Sequence, residues 1–139
     1  MKRTTLILSL TLLISLGLKA QNYIGMSQTK IVFTFGQPDE KGVNYYVYYD
    51  QNEDGSNIYY FDEHKICTVF EMKRSKDYLK EYEKMLKKDF EKLPEGDNKF
   101  YSKLYHFDAE LIVLAADFQI KISRSSKSPE GTSACLVQN

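Results

Sequence analysis

The chain is poor in the residues that usually announce chemistry. Its 139 residues include two histidines and two cysteines, and basic and acidic side chains balance at 19 each. The histidines stand in the segments Asp62-Glu63-His64 and His106-x-Asp108. Neither has zinc-site spacing, and zinc needs three or four convergent ligands, so both read as surface turn or strand residues. Nucleophile elbow, phosphate-cradling glycine loop, dinucleotide fingerprint and HExxH are all missing. What remains on the enzymatic side is a small exported hydrolase with a carboxylate pair that no motif marks, since such pairs are recognised by geometry. Balanced charge removes the electrostatic case for nucleic acid or anionic lipid as a partner.

Long hydrophobic runs are equally scarce, with one exception. Met1-Lys2-Arg3 precedes an apolar run over residues 6–18, and Ala20 closes it. The three zones predict a secretory signal peptide over residues 1–20, and the run is shorter than the ~20 residues of a bilayer span. A periplasmic or secreted protein follows, with no transmembrane anchor after cleavage. Removing residues 1–20 takes away Lys2, Arg3 and Lys19, leaving 16 basic against 19 acidic residues and a net charge of −3. In such a compartment Cys67 and Cys135 can pair as a disulfide; the alternative is a buried free thiol at Cys67 and a loose Cys135 in a polar tail.

What is present begins at residues 25–39. Ser27 suits a helix N-cap, Gly36 a helix end, and Pro38 blocks continuation. Met26, Ile31, Val32 and Phe35 can share one face of the helix between them. Residues 31–35 favour a strand by composition, but caps at both ends supply a mechanism where propensity is a weak prior.

Gly25-Met26-Ser27, Val32 and Gly36-x-Pro38-Asp39 together resemble the N-terminal signature of small envelope proteins of the SmpA/OmlA (BamE-like) group, and the related repeats of secreted β-lactamase-inhibitor proteins. The resemblance covers residues 23–72. It implies a short helix followed by three strands, filled here by residues 45–49, 58–61 and 66–70, and a place in the bacterial envelope.

Alternation then carries the chain. Val43, Tyr45, Val47 and Tyr49 alternate with Asn44, Tyr46 and Tyr48, residues 58–61 form a second strand, and residues 66–72 a third. On the third, Ile66, Thr68, Phe70 and Met72 are expected on one side, with Cys67 and Val69 on the other. From Ser75 the period becomes helical: Leu79, Tyr82, Leu86, Phe90 and Leu93 form one stripe, and Pro94 and Gly96 end it. Residues 100–107 read as a strand, Asp108-Ala109 as a turn, and residues 110–115 as a strand covered on both faces or a buried helical turn. Residues 118–123 alternate again, and residues 125–139 read as a disordered tail. No repeat at a fixed period is visible.

Two stretches are candidate sites. Asp50-x-Asn52-x-Asp54-Gly55 matches the first half of a calcium loop, but the twelfth position, where a bidentate Glu belongs, is Phe61. Calcium is thus the only cofactor the pattern admits, as a weaker loop of a calcium-stabilised extracellular module; a plain hairpin connection is the alternative. Tyr45, Tyr46, Tyr48, Tyr49, Tyr59 and Tyr60 crowd one hairpin. Tyr46, Tyr48 and Tyr59 are the expected partner-binding residues, with Tyr46 and Tyr48 pointing away from Val43 and Val47; a face covered by a helix, or a half-buried aromatic ladder, is the alternative. The expected whole is an α+β domain over residues 21–124. An antiparallel sheet of five or six strands carries a short N-terminal helix and a longer amphipathic helix on one face. Its expected role is non-enzymatic: binding or scaffolding toward an envelope protein or glycan.

Overall fold

The computed structural model of the chain describes residues 23–52, 54–96, 98–102 and 106–126. The signal-peptide residues 1–20, Cys135 and most of the expected tail lie outside them. Within them the polar punctuation around residues 27–36 makes helix α1, Gln28–Phe35. The Ser27 hydroxyl accepts from the Lys30 amide at 3.2 Å, and the Gly36 amide donates to the Val32 carbonyl at 2.8 Å. Gly36 has φ +84°, a conformation that a side chain would strain. The chain then forms β1 (Glu40–Lys41), β2 (Tyr45–Asp50), β3 (Gly55–Phe61) and β4 (Cys67–Ser75). A 3₁₀ turn over Lys76–Tyr78 leads into α2 (Leu79–Asp89), followed by β5 (Glu91–Lys92), β6 (Lys99–Ser102), β7 (Phe107–Val113) and β8 (Asp117–Arg124).

All eight strands join one sheet in the order β1-β2-β3-β4-β8-β7-β6-β5, every pair antiparallel. The α+β class therefore holds, but the count of five or six strands is wrong. The additional strands, β1 and β5, are two residues each and too short to show alternation. The order also reveals a duplicated architecture that no sequence period announces. Helix, two-residue edge strand and three-strand meander occur twice, about 50 residues apart. Each unit ends on the strand, β4 or β8, that pairs with the other at the middle of the sheet.

Register sorts the side chains. Tyr59 stands opposite Phe70, Phe70 opposite Ile122, and Ile122 opposite Ala109. Directly opposed residues share a face, so these line one side with Met72, Ile120 and Phe118. Both helices sit there: Phe35 of α1 meets Tyr48 and Tyr59 at centroid distances of 5.8 and 5.7 Å, and Tyr82 of α2 meets Phe118 at 5.5 Å. Ile31, Leu86 and these strand residues form the core.

Four local expectations change. The second helix ends at Asp89, not Leu93, because Phe90 turns extended and frees Glu91–Lys92 to pair with β6. Asp108 and Ala109 are not a turn. Ala109 is buried opposite Phe100 and Ile122, and the chain reverses earlier, with His106 at φ +54°. A register shift after Tyr60 places an extra residue in β4, so Cys67 is buried on the core side with Phe70 while Thr68 is exposed. Residues 111–113 are strand, yet only Leu111 is buried; Ile112, Val113 and Leu114 are exposed rather than covered on both faces. At the start of the expected tail, the Ser125 amide still donates to His106 at 2.8 Å.

One buried cation ties the first unit to the second helix. Arg74, 2% exposed, donates to the Ser56 and Lys73 carbonyls and to Asn57 Oδ1 at 2.8–2.9 Å. Its guanidinium lies 5.9 Å from the Tyr82 ring centroid and 3.5 Å from Asp50. Replacing Arg74 by alanine strands these acceptors in a dry setting. The variant is expected to lose roughly 3–4 kcal/mol, the lower part of the buried-pair range because Asp50 is partly solvated. Urea unfolding measures it.

Candidate functional site

The expected tyrosine site is divided by the fold. Tyr46 and Tyr59 are 4% and 2% exposed, on the core side beneath α1. Tyr48 joins them there, its hydroxyl donating to the Gly36 carbonyl at 2.9 Å. The face expected to be open is the one the helix covers. Burial raises the ionisation of Tyr59 and Tyr48 above the ordinary phenol value, as suits rings inside a core. The tyrosines that meet solvent are Tyr45 and Tyr49, 40% and 54% exposed, with half-buried Tyr60 beside Tyr45 at 6.1 Å. Pleating sends these to the other face, along with Val47 and Ile58.

The calcium-like segment is a hairpin connection in its geometry. Asp50 Oδ1 accepts from the Asn52 amide at 3.0 Å, and Asp54 takes a left-handed φ of +48°. The Asp50 carboxylate also lies 3.5 Å from the Arg74 guanidinium. Among the described residues no three His, Cys, Asp or Glu side chains converge to hold a metal. His64 is exposed beside Glu63 at 3.4 Å, and His106 Nδ1 lies 3.4 Å from the Tyr101 hydroxyl. Cys67 carries a free, enclosed thiol; Cys135, its expected partner, is outside the described residues.

The face opposite the helices, uncovered among the described residues, is ordered in rows that only the register creates. One row runs Glu40, Val47, Ile58, Glu71, Lys121, Glu110, Lys99 across seven strands. Its charged half alternates in sign. The next row runs Tyr45, Tyr60, Val69, Ser123, Asp108, Tyr101. The face is therefore aromatic over β2–β3 and charged over β4–β8–β7–β6. Lys73 adds an ion pair to Asp117 at 3.0 Å. Above β6–β8 opens a cleft of about 330 Å³, with Glu95, Lys99, Asp108, Glu110 and Lys121 in its lining. Polar residues alternating along single strands, at 71 and 73 or 108 and 110, were the sequence signal for this face. The rows themselves depend on strand order and were invisible.

No helix among the described residues is long and apolar enough to cross a membrane. No protein-family model matches the chain, and no curated protein matches it. A solved structure is similar: a DUF4309 family protein (YjgB) from Bacillus subtilis subsp. subtilis. The two share 11% identity over 83% of this chain and 97% of that one, with a TM-score of 0.53. That likeness concerns the fold alone.

Two expectations follow from burial. Desolvation raises the Glu71 carboxyl above its ordinary value, although Lys121 and Lys73 act in the opposite direction. A raised carboxyl favours the folded state while protonated and loses that contribution as pH rises through the folded value. Glu71→Gln is thus expected to melt higher than wild type near neutral pH, with the difference closing below pH 4.5, the ordinary glutamate value; thermal melts across pH check it. Burial also pushes the Cys67 thiol up to about 12. In a Cys135→Ser background, Cys67 should resist a chromogenic disulfide reagent until denaturant opens the core.

Proposed function

We propose that the protein is an exported, non-catalytic binding or scaffold module of the bacterial envelope that holds a protein or glycan on its uncovered sheet face. The observation that carries this reading is the segregation of the sheet. One face is filled by core residues beneath both helices, while the other leaves Tyr45 and Tyr49 in solvent beside Val47, Ile58 and Tyr60. Tyrosine offers rigid apolar area with a polar tip, which suits a wet interface. The leader pattern of residues 1–20 supports export. The resemblance of residues 23–72 to the SmpA/OmlA group supports the envelope. Both sheet edges are two-residue Glu-Lys strands, and short charged edges discourage strand addition, which favours the face over the edge as the contact.

The test is capture from cross-linked envelope extract and on purified cell-wall sacculi, using residues 21–139. Wild type is expected to retain a partner or the sacculi. Tyr45→Ala/Tyr49→Ala should keep the wild-type circular dichroism and melting behaviour while losing roughly tenfold or more in retention. Equal retention by the variant overturns the assignment of this face.

A further inference from the structure

The charged half of the uncovered face carries a symmetry that only the register creates. Across β3, β4, β8, β7 and β6 one row runs Ile58, Glu71, Lys121, Glu110, Lys99. Leu93 extends it, its amide donating to the Lys99 carbonyl at 2.8 Å. The row is thus an apolar residue, the signs minus, plus, minus, plus, and a second apolar residue. Reversing its direction exchanges every sign and returns an apolar residue at each end. Lys99 and Lys121 are exposed, and Glu71 and Glu110 are partly exposed, so all of these side chains meet solvent.

Opposite charges side by side steady a sheet by themselves. Any alternating ladder meets that need, and it requires neither an apolar residue at each end nor a face without cover. A surface that reverses into its own complement fits a copy of itself, because a two-fold contact sets each residue i on j and j on i.

We propose that the face over β4–β8–β7–β6 docks on the same face of a second copy of this chain, about a two-fold axis that runs parallel to the strands over the β8–β7 boundary. That axis sets β4 on β6 of the other copy and β8 on β7. Lys121 of each copy then meets Glu110 of the other, Glu71 meets Lys99, and Ile58 meets Leu93. In the adjoining row Val69 meets Tyr101 and Ser123 meets Asp108, so no like charges come together. Stacked sheets lie about 10 Å apart with strands crossing at about 30°, a gap that lysine and glutamate side chains span from both sides. The cleft of about 330 Å³ above β6–β8 lies opposite β4 and β8 of the other copy and has room for their side chains.

The same charges select this axis against its neighbours. An axis moved onto β8 sets Lys121 on itself and Glu71 on Glu110. An axis across the strands, at the height of the row, sets every charge of the ladder on its own like. The inference rests on the reading that the uncovered face is the contact face, and it gives the charged half to a second copy. β1 and β2 project past the β5 edge of that copy, so Tyr45 and Tyr49 stay in solvent for a different partner. A contact this charged is wet and weak. In dilute thermal melts the chains are apart, and Glu71 there has only its own sheet around it.

Sedimentation velocity of residues 21–139, from about 10 µM to about 1 mM, tests the proposal. Wild type is expected to pass from monomer to dimer within that range. Lys121→Glu and Glu110→Lys each put like charges at both central contacts, and each should weaken self-association roughly tenfold or more. Mixed in equal amounts, the two variants present opposite charges at every contact of the row, so a heterodimer of about wild-type strength is expected. Mixing would not rescue chains that had merely lost their fold. Lys84→Glu, at an exposed position of α2 on the other side of the sheet, should leave dimerisation unchanged. A wild-type monomer at every concentration overturns the proposal and leaves the face to residues 127–139 or to another protein. Self-association insensitive to both variants overturns it as well, and so does a mixture that forms no heterodimer. Retention on envelope extract reads Tyr45 and Tyr49 in monomer and dimer alike. Partner capture can thus fail while the two-fold contact stands, and the reverse.

Discussion

The seam between β4 and β8 is the constraint on which the rest depends. Seven registered pairs, from Val69–Ser123 to Ser75–Asp117, join two meanders into one sheet. On its core side the seam stacks Phe70 and Met72 against Ile122 and Ile120, all buried. Either unit alone would leave β4 or β8 as an open edge, and the seam closes both. Joined, they give α1 and α2 a continuous floor. Arg74, the last residue but one of β4, fixes that floor to α2 through Tyr82 and to the β2–β3 connection through Asp50.

One-sided cover follows from the seam and produces the division of chemistry. Helices from both units reach the same face, so aromatic and aliphatic residues concentrate there. The opposite face is then free to carry a charge ladder, an aromatic patch and a cleft. It is only partly wet: Glu71 is desolvated and Val47 is buried among the neighbouring side chains. The short Glu-Lys strands at both edges leave little backbone to recruit further strands. The result is a sheet whose one free resource is a face.

The elements that were legible in the sequence are those fixed by local chemistry. Ser27 and Gly36 bracket α1 because a cap bond and a positive φ act over a single turn. Tyr82 and Leu86 are buried as their spacing predicts. Where local and long-range terms compete, the sequence misleads. Phe90 continues the apolar stripe of α2, yet it is buried by an extended backbone because β6 offers pairing partners. Asp108 and Ala109 look like turn residues, but Ala109 fits a tight place between Phe100 and Ile122. Alternation correctly placed Tyr46 and Tyr48 opposite Val47, and it could not say which side a helix would cover.

By itself the sequence determined both ends of α1, the start of the second helical stretch and the alternation along β2, since those follow from local caps and from periods of 3.6 and 2. The tertiary structure alone decided that eight strands close into one order, that the architecture is duplicated, and that Tyr46, Tyr48 and Tyr59 are core while Tyr45 and Tyr49 are surface. It likewise set Glu110 opposite two lysines, Lys99 and Lys121. Cross-strand neighbours lie tens of residues apart in the chain. Their identities are set by register and strand order, quantities that no local pattern encodes.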